Sequence, residues 1–157
     1  MLTFSQMLIR FFIAMLLGAI IGLEREMSGR EAGVRTSMLV ASGAAIFTII
    51  ALTLPYLVAV SPDNLSEVIA RNSGFLGVIA NIVVGVGFLG AGIIVKSGEH
   101  VRGLTTAATV WMTAAIGTLV GLGMINFAAI VAVLSTLLLY FLKKINVSAK
   151  IRPRDSD

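Results

Sequence analysis

The chain has 157 residues, of which 57% are apolar and 13% are charged, and its mean hydropathy is +0.99. These values exclude a water-soluble domain, which could not cover so apolar a chain with polar surface, and long apolar stretches predict an all-α integral membrane protein. The net charge of +4 lies in short loops and at the C-terminus, which indicates membrane topology and anionic lipid headgroups, and not nucleic acid. With no cysteine and one histidine, thiolate and histidine-cluster metal sites are excluded.

Five apolar segments are long enough to cross a bilayer as helices. We place these predicted spans at residues 7–23, 37–60, 75–95, 104–120 and 124–142. The last two share one apolar run, which as a single helix would be roughly 58 Å long and is therefore divided near Gly121. Residues 1–142 are predicted to form one transmembrane domain, and residues 143–157 a basic cytoplasmic tail.

The basic residues are distributed unevenly between the two sides that five spans create. Ten of the twelve Lys and Arg residues fall on the side of residues 24–36, residues 96–103 and the tail, while Arg10 and Arg71 fall on the other. Because cytoplasmic loops are enriched in Lys and Arg, the N-terminus is expected outside and the C-terminus in the cytoplasm. Arg10 is then expected near the outer end of the first span, with its side chain reaching the headgroups.

The polar segment after the first span alternates three carboxylates with three guanidiniums. On a helix, Glu26 would lie one turn from Arg30 and could pair with it. One interpretation is a solvated, self-neutralising loop that only fixes topology; the other is a site for a cation or an anionic headgroup. Carboxylates suit Mg²⁺, but the neighbouring arginines would compete for them, so the metal stays unknown.

Glycines at short spacing occur in the third span and in the first. Such a helix has little side-chain volume on much of its surface, which predicts close packing against another backbone, within the chain or in a dimer. The positions are Gly18, Gly22, Gly85, Gly87, Gly90 and Gly92. Asn81 is an intramembrane polar residue of the third span, and its amide is expected to form an interhelical hydrogen bond.

The fourth span opens with a threonine-rich stretch at residues 104–109. A threonine there could cap the helix; alternatively, the positive end of the helix could face an anionic group such as Glu24 or a phosphate. Trp111 lies about two turns inside the span, as the second intramembrane polar residue, and its indole N–H is expected to find a partner within the bundle.

Three blocks together resemble the MgtC/SapB family of bacterial membrane proteins. They are GLERE at residues 22–26 with AGVRT at 32–36, GVGFLGAG at 85–92, and VRGLTTAAT at 101–109 with Trp111 and AIG at 115–117. The resemblance implies a helical inner-membrane protein associated with adaptation to low magnesium and, in pathogens, with survival inside macrophages. It implies no enzyme. The role proposed for the family is regulation of a membrane partner, for which ATP synthase is a candidate, and direct Mg²⁺ transport is not established.

The chain departs from the family pattern in two places. Many members carry a soluble C-terminal domain, which this sequence is expected to lack, since it continues for fifteen residues beyond Leu142. Just before the glycine block, members often have an arginine and a glutamine, where this chain has Gly77 and Asn81. A role for that arginine therefore cannot be transferred.

We therefore expect a non-enzymatic, homo-oligomeric protein of the bacterial inner membrane that needs no cofactor, with Mg²⁺ only weakly supported. Its functional surface is expected in a cluster of Glu24, Arg25, Glu26, Arg35, Thr36, Arg102, Thr105 and Thr106. Within it, Glu24 or Arg25 is expected to pair with Arg102 or the helix start. The alternative is a small oligomeric cation channel or transporter for Mg²⁺, in which Asn81 and the glycine helix line a pore. The lack of Asp, Glu, Lys and His near any predicted midplane counts against it.

Overall fold

The computed structural model describes residues 2–59, 66–68, 74–98 and 100–145. In these ranges the elements are α1 (Phe4–Met27), α2 (Val34–Val58), α3 (Gly74–Ile93), β1 (Val95–Ser97), β2 (His100–Arg102), α4 (Leu104–Leu122) and α5 (Ile125–Lys144). Residues 66–68 are also helical. The predicted tail lies outside the described residues from position 146 onward, as does Arg71.

The helices confirm an all-α, multi-pass membrane protein. Four of them, α1, α2, α4 and α5, are long and apolar enough to cross a membrane, and α3 contains the shorter apolar stretch Gly77–Ile93. Each helix overlaps one predicted span. The fifth crossing and the orientation across the bilayer stay predictions.

The first helix is longer at both ends than its predicted span. It begins with a capping box, in which the Thr3 hydroxyl accepts from the Gln6 backbone N–H and the Gln6 side chain accepts from the Thr3 N–H. It ends at Met27, followed by Gly29 in the left-handed region at φ +64°. Because no helix breaker precedes Gly29, Glu24 and Arg25 belong to the last turn of α1 and not to a loop.

Three helices form the centre of the bundle, because α2 packs extensively against both α1 and α4. The third helix rests on α4 and α2, and the fifth on α1 and α4. Small and branched residues dominate the core where α1, α4 and α5 meet, which lets helix backbones approach closely. The buried cluster consists of Ala14, Leu17, Ile21, Ala45, Ile116, Val120, Ala128 and Ala132.

Glycines on α1 and α4 permit the closest backbone approaches to α2. A Cβ on Gly18 would lie 2.5 Å from the carbonyl oxygen of Ser37, and one on Gly22 would lie 2.5 Å from the Cα of Val34. A Cβ on Gly117 would overlap the carbonyl of Ala41. Any side chain at these positions would therefore force the helices apart.

The glycine face of α3 behaves differently. Among the described residues, a Cβ on Gly85, Gly87 or Gly92 would meet nothing within 4 Å. Gly90 lies against α4, where its Cβ would be 3.6 Å from that of Ala107. The expectation of close packing within one chain is therefore wrong for Gly85, Gly87 and Gly92. For these three glycines, close packing stays a prediction only for a contact between two copies of the chain.

The predicted polar loop before α4 contains a short antiparallel hairpin of β1 and β2, in which Val95 pairs with Arg102 and Ser97 with His100. Gly103 follows at φ +85°, and a Cβ there would overlap the carbonyl of Ile93. Only glycine fits both conditions, so this residue holds the base of the hairpin against the end of α3.

Candidate functional site

A polar cavity of about 720 Å³ opens where the α1–α2 turn meets the hairpin and the start of α4. Two chain segments line it, residues 29–31 and residues 100–106. Of the predicted cluster, the cavity therefore contains Arg102, Thr105 and Thr106. Its size is that of pockets that hold small molecules.

The N-terminus of α4 forms one wall of the polar cavity. Its N-cap is Gly103, which makes no side-chain capping bond, so a threonine cap is not what the structure has. The first backbone N–H groups of a helix have no intrahelical acceptor, and they lie at the positive end of the helix dipole. The N–H groups of Leu104, Thr105 and Thr106 are therefore available to an acceptor.

Charged side chains from both segments border the polar cavity. Arg30 and Glu31 come from the α1–α2 turn, and Arg102 comes from β2. Neither Arg30 nor Arg102 forms an ion pair with a carboxylate within the described part of the chain, whereas Arg25 lies beside Glu24. Thr106 also lines the cavity, is only 4% exposed, and has no hydrogen-bond partner for its hydroxyl among the described residues.

Glu24 and Arg25 are buried in the last turn of α1, with side chains 7% and 4% exposed. The Arg25 Nε lies 3.1 Å from the Glu24 Oε2, but neither atom is in hydrogen-bond geometry, so the contact is electrostatic. Ser28 donates its hydroxyl to the Glu24 Oε1 at 2.7 Å, and Arg25 Nη1 donates to the Thr109 Oγ1 at 3.4 Å. The pair therefore connects α1 to α4.

The expected pairing of Glu24 or Arg25 with Arg102 or the Thr105 helix start is wrong. Both side chains turn into the bundle, where Arg25 contacts Thr109 one turn beyond the helix start, whereas Arg102 is exposed on the hairpin. Burial decides the difference, because a charge that leaves water needs the nearest countercharge and donor, which here are its own neighbour and α4.

Glu26 closes the start of α2. Its Oε2 accepts a hydrogen bond from the backbone N–H of Val34 at 3.0 Å, and Gly33 has no Cβ to obstruct it. A carboxylate at this position also complements the positive end of the helix. Arg35 and Thr36 are exposed on the first turn of α2 and do not line the polar cavity. The residues of the predicted cluster thus occupy four different places, namely a buried ion pair, the cap of α2, the wall of the polar cavity and the exposed first turn of α2.

Metal-binding side chains do not gather into one group in the described chain. No three His, Asp or Glu side chains come together there in a way that could hold a metal ion. Glu24 and Glu26 already accept hydrogen bonds from Ser28 and Val34.

The two intramembrane polar residues both face outward. Asn81 is exposed on α3, where it borders an otherwise apolar groove of about 650 Å³ between α2 and α3, and its amide has no partner among the described residues. Trp111 is 47% exposed, so the expected indole partner inside the bundle is wrong. The buried face of α4 combines threonines such as Thr109 with small and branched apolar residues such as Val110, and the larger indole ring lies outside that face.

Sequence reasoning missed Arg30 and His100 as residues of the polar cavity. Both lie in polar segments that the predicted topology places on the same side of the membrane as Arg102. That shared side is the signal in the sequence that could have indicated them.

Comparison with known proteins finds a family that matches most of the chain. The model of the MgtC family matches residues 11–148. Protein MgtC of Salmonella typhimurium is 47% identical over 123 residues, covering 78% of this chain and 46% of the relative. Protein MgtC of Brucella abortus is 47% identical over 120 residues, covering 76% and 44%. The chain thus spans a little under half the length of these relatives, and no solved structure matches it. The extent of the family match and the identity to these relatives show that the chain belongs to the MgtC family.

Proposed function

We propose that this protein is a non-enzymatic regulator in the bacterial inner membrane, which acts on a membrane partner during adaptation to magnesium limitation. The observation that carries the proposal is that the turn between two family motifs, GLERE and AGVRT, meets the start of a third, VRGLTTAAT. The α1–α2 connection and the segment before α4 lie side by side and together form the polar cavity. ATP synthase is the candidate partner that the family resemblance implies.

The distribution of charged side chains supports a recognition surface. Glu24, Arg25 and Glu26 are engaged in bonds that hold α1 against α2 and α4. Arg30 and Arg102 stay exposed on the turn and the hairpin, where another protein could contact them. The charges inside the bundle are held in place, and those on the turn and the hairpin are free. This arrangement suits a surface that binds a partner protein, and binding does not require a catalytic group.

A small oligomeric Mg²⁺ channel is the second candidate, favoured by one observation. The exposed Asn81 and the uncovered glycines of α3 could face other copies around a common axis. However, the groove beside Asn81 is lined almost entirely by apolar side chains, and a divalent cation needs oxygen ligands or water along its path.

Growth in low magnesium tests the regulatory proposal. In a strain that lacks its own copy, the combined Arg30→Gln and Arg102→Gln variant should lose rescue while its membrane level stays normal. Lys96→Gln removes a positive charge from the same hairpin outside the polar cavity and should rescue normally. Crosslinking and mass spectrometry in native membranes should then recover a partner with the wild type and not with the double variant.

Flux measurements separate the two candidates. Proteoliposomes that contain the purified protein should show no Mg²⁺ influx above that of empty vesicles. A saturable influx that Asn81→Leu abolishes would replace the regulatory proposal with the channel.

A further inference from the structure

The polar cavity has the features of a site for one kind of ligand. We propose that it binds a phosphoryl group, carried either by an anionic lipid headgroup or by a soluble phosphate compound. The proposal goes beyond the regulatory role and does not depend on it, because binding is measured on the purified protein.

The first support is the set of donors at the start of α4. Gly103 has no side chain to cap the helix, and Leu104, Thr105 and Thr106, whose N–H groups have no intrahelical acceptor, all line the polar cavity. Oriented N–H groups at the positive end of a helix are a common phosphate-binding arrangement.

The second and independent support is Thr106. Its side chain is 4% exposed, yet its hydroxyl has no hydrogen-bond partner in the described chain. Other buried threonines of this helix behave differently: Thr109 and Thr113 each donate to a carbonyl one turn earlier. Because Thr106 lines the polar cavity, its unpaired hydroxyl is available to donate to a ligand acceptor that enters there.

The third support is the charge at the rim of the polar cavity. Arg30 and Arg102 approach from two different elements, and neither forms an ion pair within the described residues. Guanidinium groups bind phosphate oxygens through paired, charge-assisted hydrogen bonds. Glu31 opposes an anion, but two arginines outweigh it, and the imidazole of His100 adds a further polar group.

The location and size of the polar cavity suit a phosphoryl group attached to a larger molecule. At about 720 Å³, it exceeds the volume of a bare phosphate ion and leaves room for part of its carrier. It opens at the ends of the apolar helices α1 and α4, the level at which lipid headgroups lie, and it is also open to solutes.

Two arms of one experiment distinguish the sources of the phosphoryl group. In the first, delipidated full-length protein in neutral detergent is titrated with inorganic phosphate and with glycerol 3-phosphate by calorimetry. In the second, the protein is placed in phosphatidylcholine nanodiscs with or without phosphatidylglycerol, and retained lipids are counted by native mass spectrometry. Saturable binding in the first arm alone indicates a soluble compound, and retention of phosphatidylglycerol indicates a lipid.

Variants test whether the polar cavity is responsible. Arg102→Gln and, on the separate turn, Arg30→Gln should each weaken binding at least tenfold. Thr106→Val removes the hydroxyl at nearly constant volume and should weaken binding several-fold, whereas Thr106→Ser should bind nearly as the wild type does. Lys96→Gln, outside the cavity, should leave binding unchanged.

Each contrary result overturns the proposal. Absence of saturable binding in both arms would do so, as would equal losses for Lys96→Gln and Arg102→Gln, which would reveal only bulk charge. Thermal unfolding of each variant without ligand confirms that it is folded. Because growth in low magnesium is not used, loss of the phosphate site and loss of the regulatory role are separately observable.

Discussion

Arg10 donates a hydrogen bond from its Nη1 to the carbonyl oxygen of Gly121 at 2.6 Å, and this bond joins α1 to the C-terminal end of α4. The last carbonyls of a helix lack hydrogen-bond partners and lie at the negative end of the helix dipole. A guanidinium donates a hydrogen bond to such a carbonyl, and its positive charge complements the dipole. Gly123, at φ +91°, leaves room for the group, since a Cβ there would lie 2.8 Å from the Arg10 Nη2. Arg10 is therefore a helix cap, and the expectation that it reaches the headgroups is corrected.

Loss of this cap should destabilise the bundle. Because hydrogen bonds to charged groups contribute about 1.5–3 kcal/mol, Arg10→Gln should lower the free energy of unfolding in detergent by about that amount. Arg35→Gln is the matched control, since Arg35 is exposed and forms no ion pair in the described chain, and it should change stability by no more than about 0.5 kcal/mol. Equal stability of the two variants would contradict the capping role.

Two glycine-to-alanine substitutions should differ in their effect on stability. Gly117→Ala places a Cβ against the Ala41 carbonyl and should destabilise the protein by about 1–3 kcal/mol through overpacking. Gly87→Ala adds a Cβ in open space and should leave stability unchanged or raise it by up to about 1 kcal/mol through helix propensity. Thermal unfolding in detergent measures both. A large loss for Gly87→Ala would mean that α3 is covered by another copy even in detergent.

The buried pair in α1 should show strong energetic coupling. Glu24→Gln alone leaves Arg25 buried without its countercharge and should cost about 3–5 kcal/mol. In a double-mutant cycle with Arg25→Gln, the coupling energy should exceed about 1 kcal/mol. The cycle that combines Glu24→Gln with Arg102→Gln should be additive to within about 0.5 kcal/mol, because Arg102 lies exposed on the hairpin. Coupling in the second cycle and not in the first would reverse the assigned partners.

Orientation across the membrane can be read from single cysteines, since these 157 residues contain none. An impermeant thiol reagent added to intact spheroplasts should label Ser66→Cys, between α2 and α3, and should spare Ser97→Cys in β1 and Ser148→Cys in the tail. All three should react after permeabilisation. Labelling of Ser148→Cys in intact spheroplasts would invert the orientation.

The positions of the helices were predictable because apolar length is a local property of the sequence. The end of α1 is not predictable in this way, because charged residues indicate the end of an apolar span, whereas Glu24 and Arg25 are helical and buried as a pair. In this chain the first charged residues do not end the helix, because both have partners inside the bundle.

Glycine spacing alone did not reveal which glycines meet another helix. Gly18 and Gly117 lie against α2, while Gly85 and Gly87 are uncovered, although all of them belong to small-residue patterns. The face of a helix that is buried depends on its neighbours, which the pattern does not specify. The contact of Arg10 with Gly121 spans 111 positions, and no local signal indicates it.

The packing of α1, α2 and α4 also determines when contacts between these helices can form during synthesis of the chain. Arg25 and its α4 partner Thr109 are 84 positions apart, with α3 and the hairpin made in between. At 5–20 residues per second, a ribosome needs roughly 4–17 s to cover that interval, and during this time the bond from Arg25 to Thr109 cannot form. Until α4 is made, Arg25 has its countercharge Glu24 beside it in α1 but lacks the Thr109 acceptor, so the contact that joins the first helix to the fourth is completed only late in synthesis.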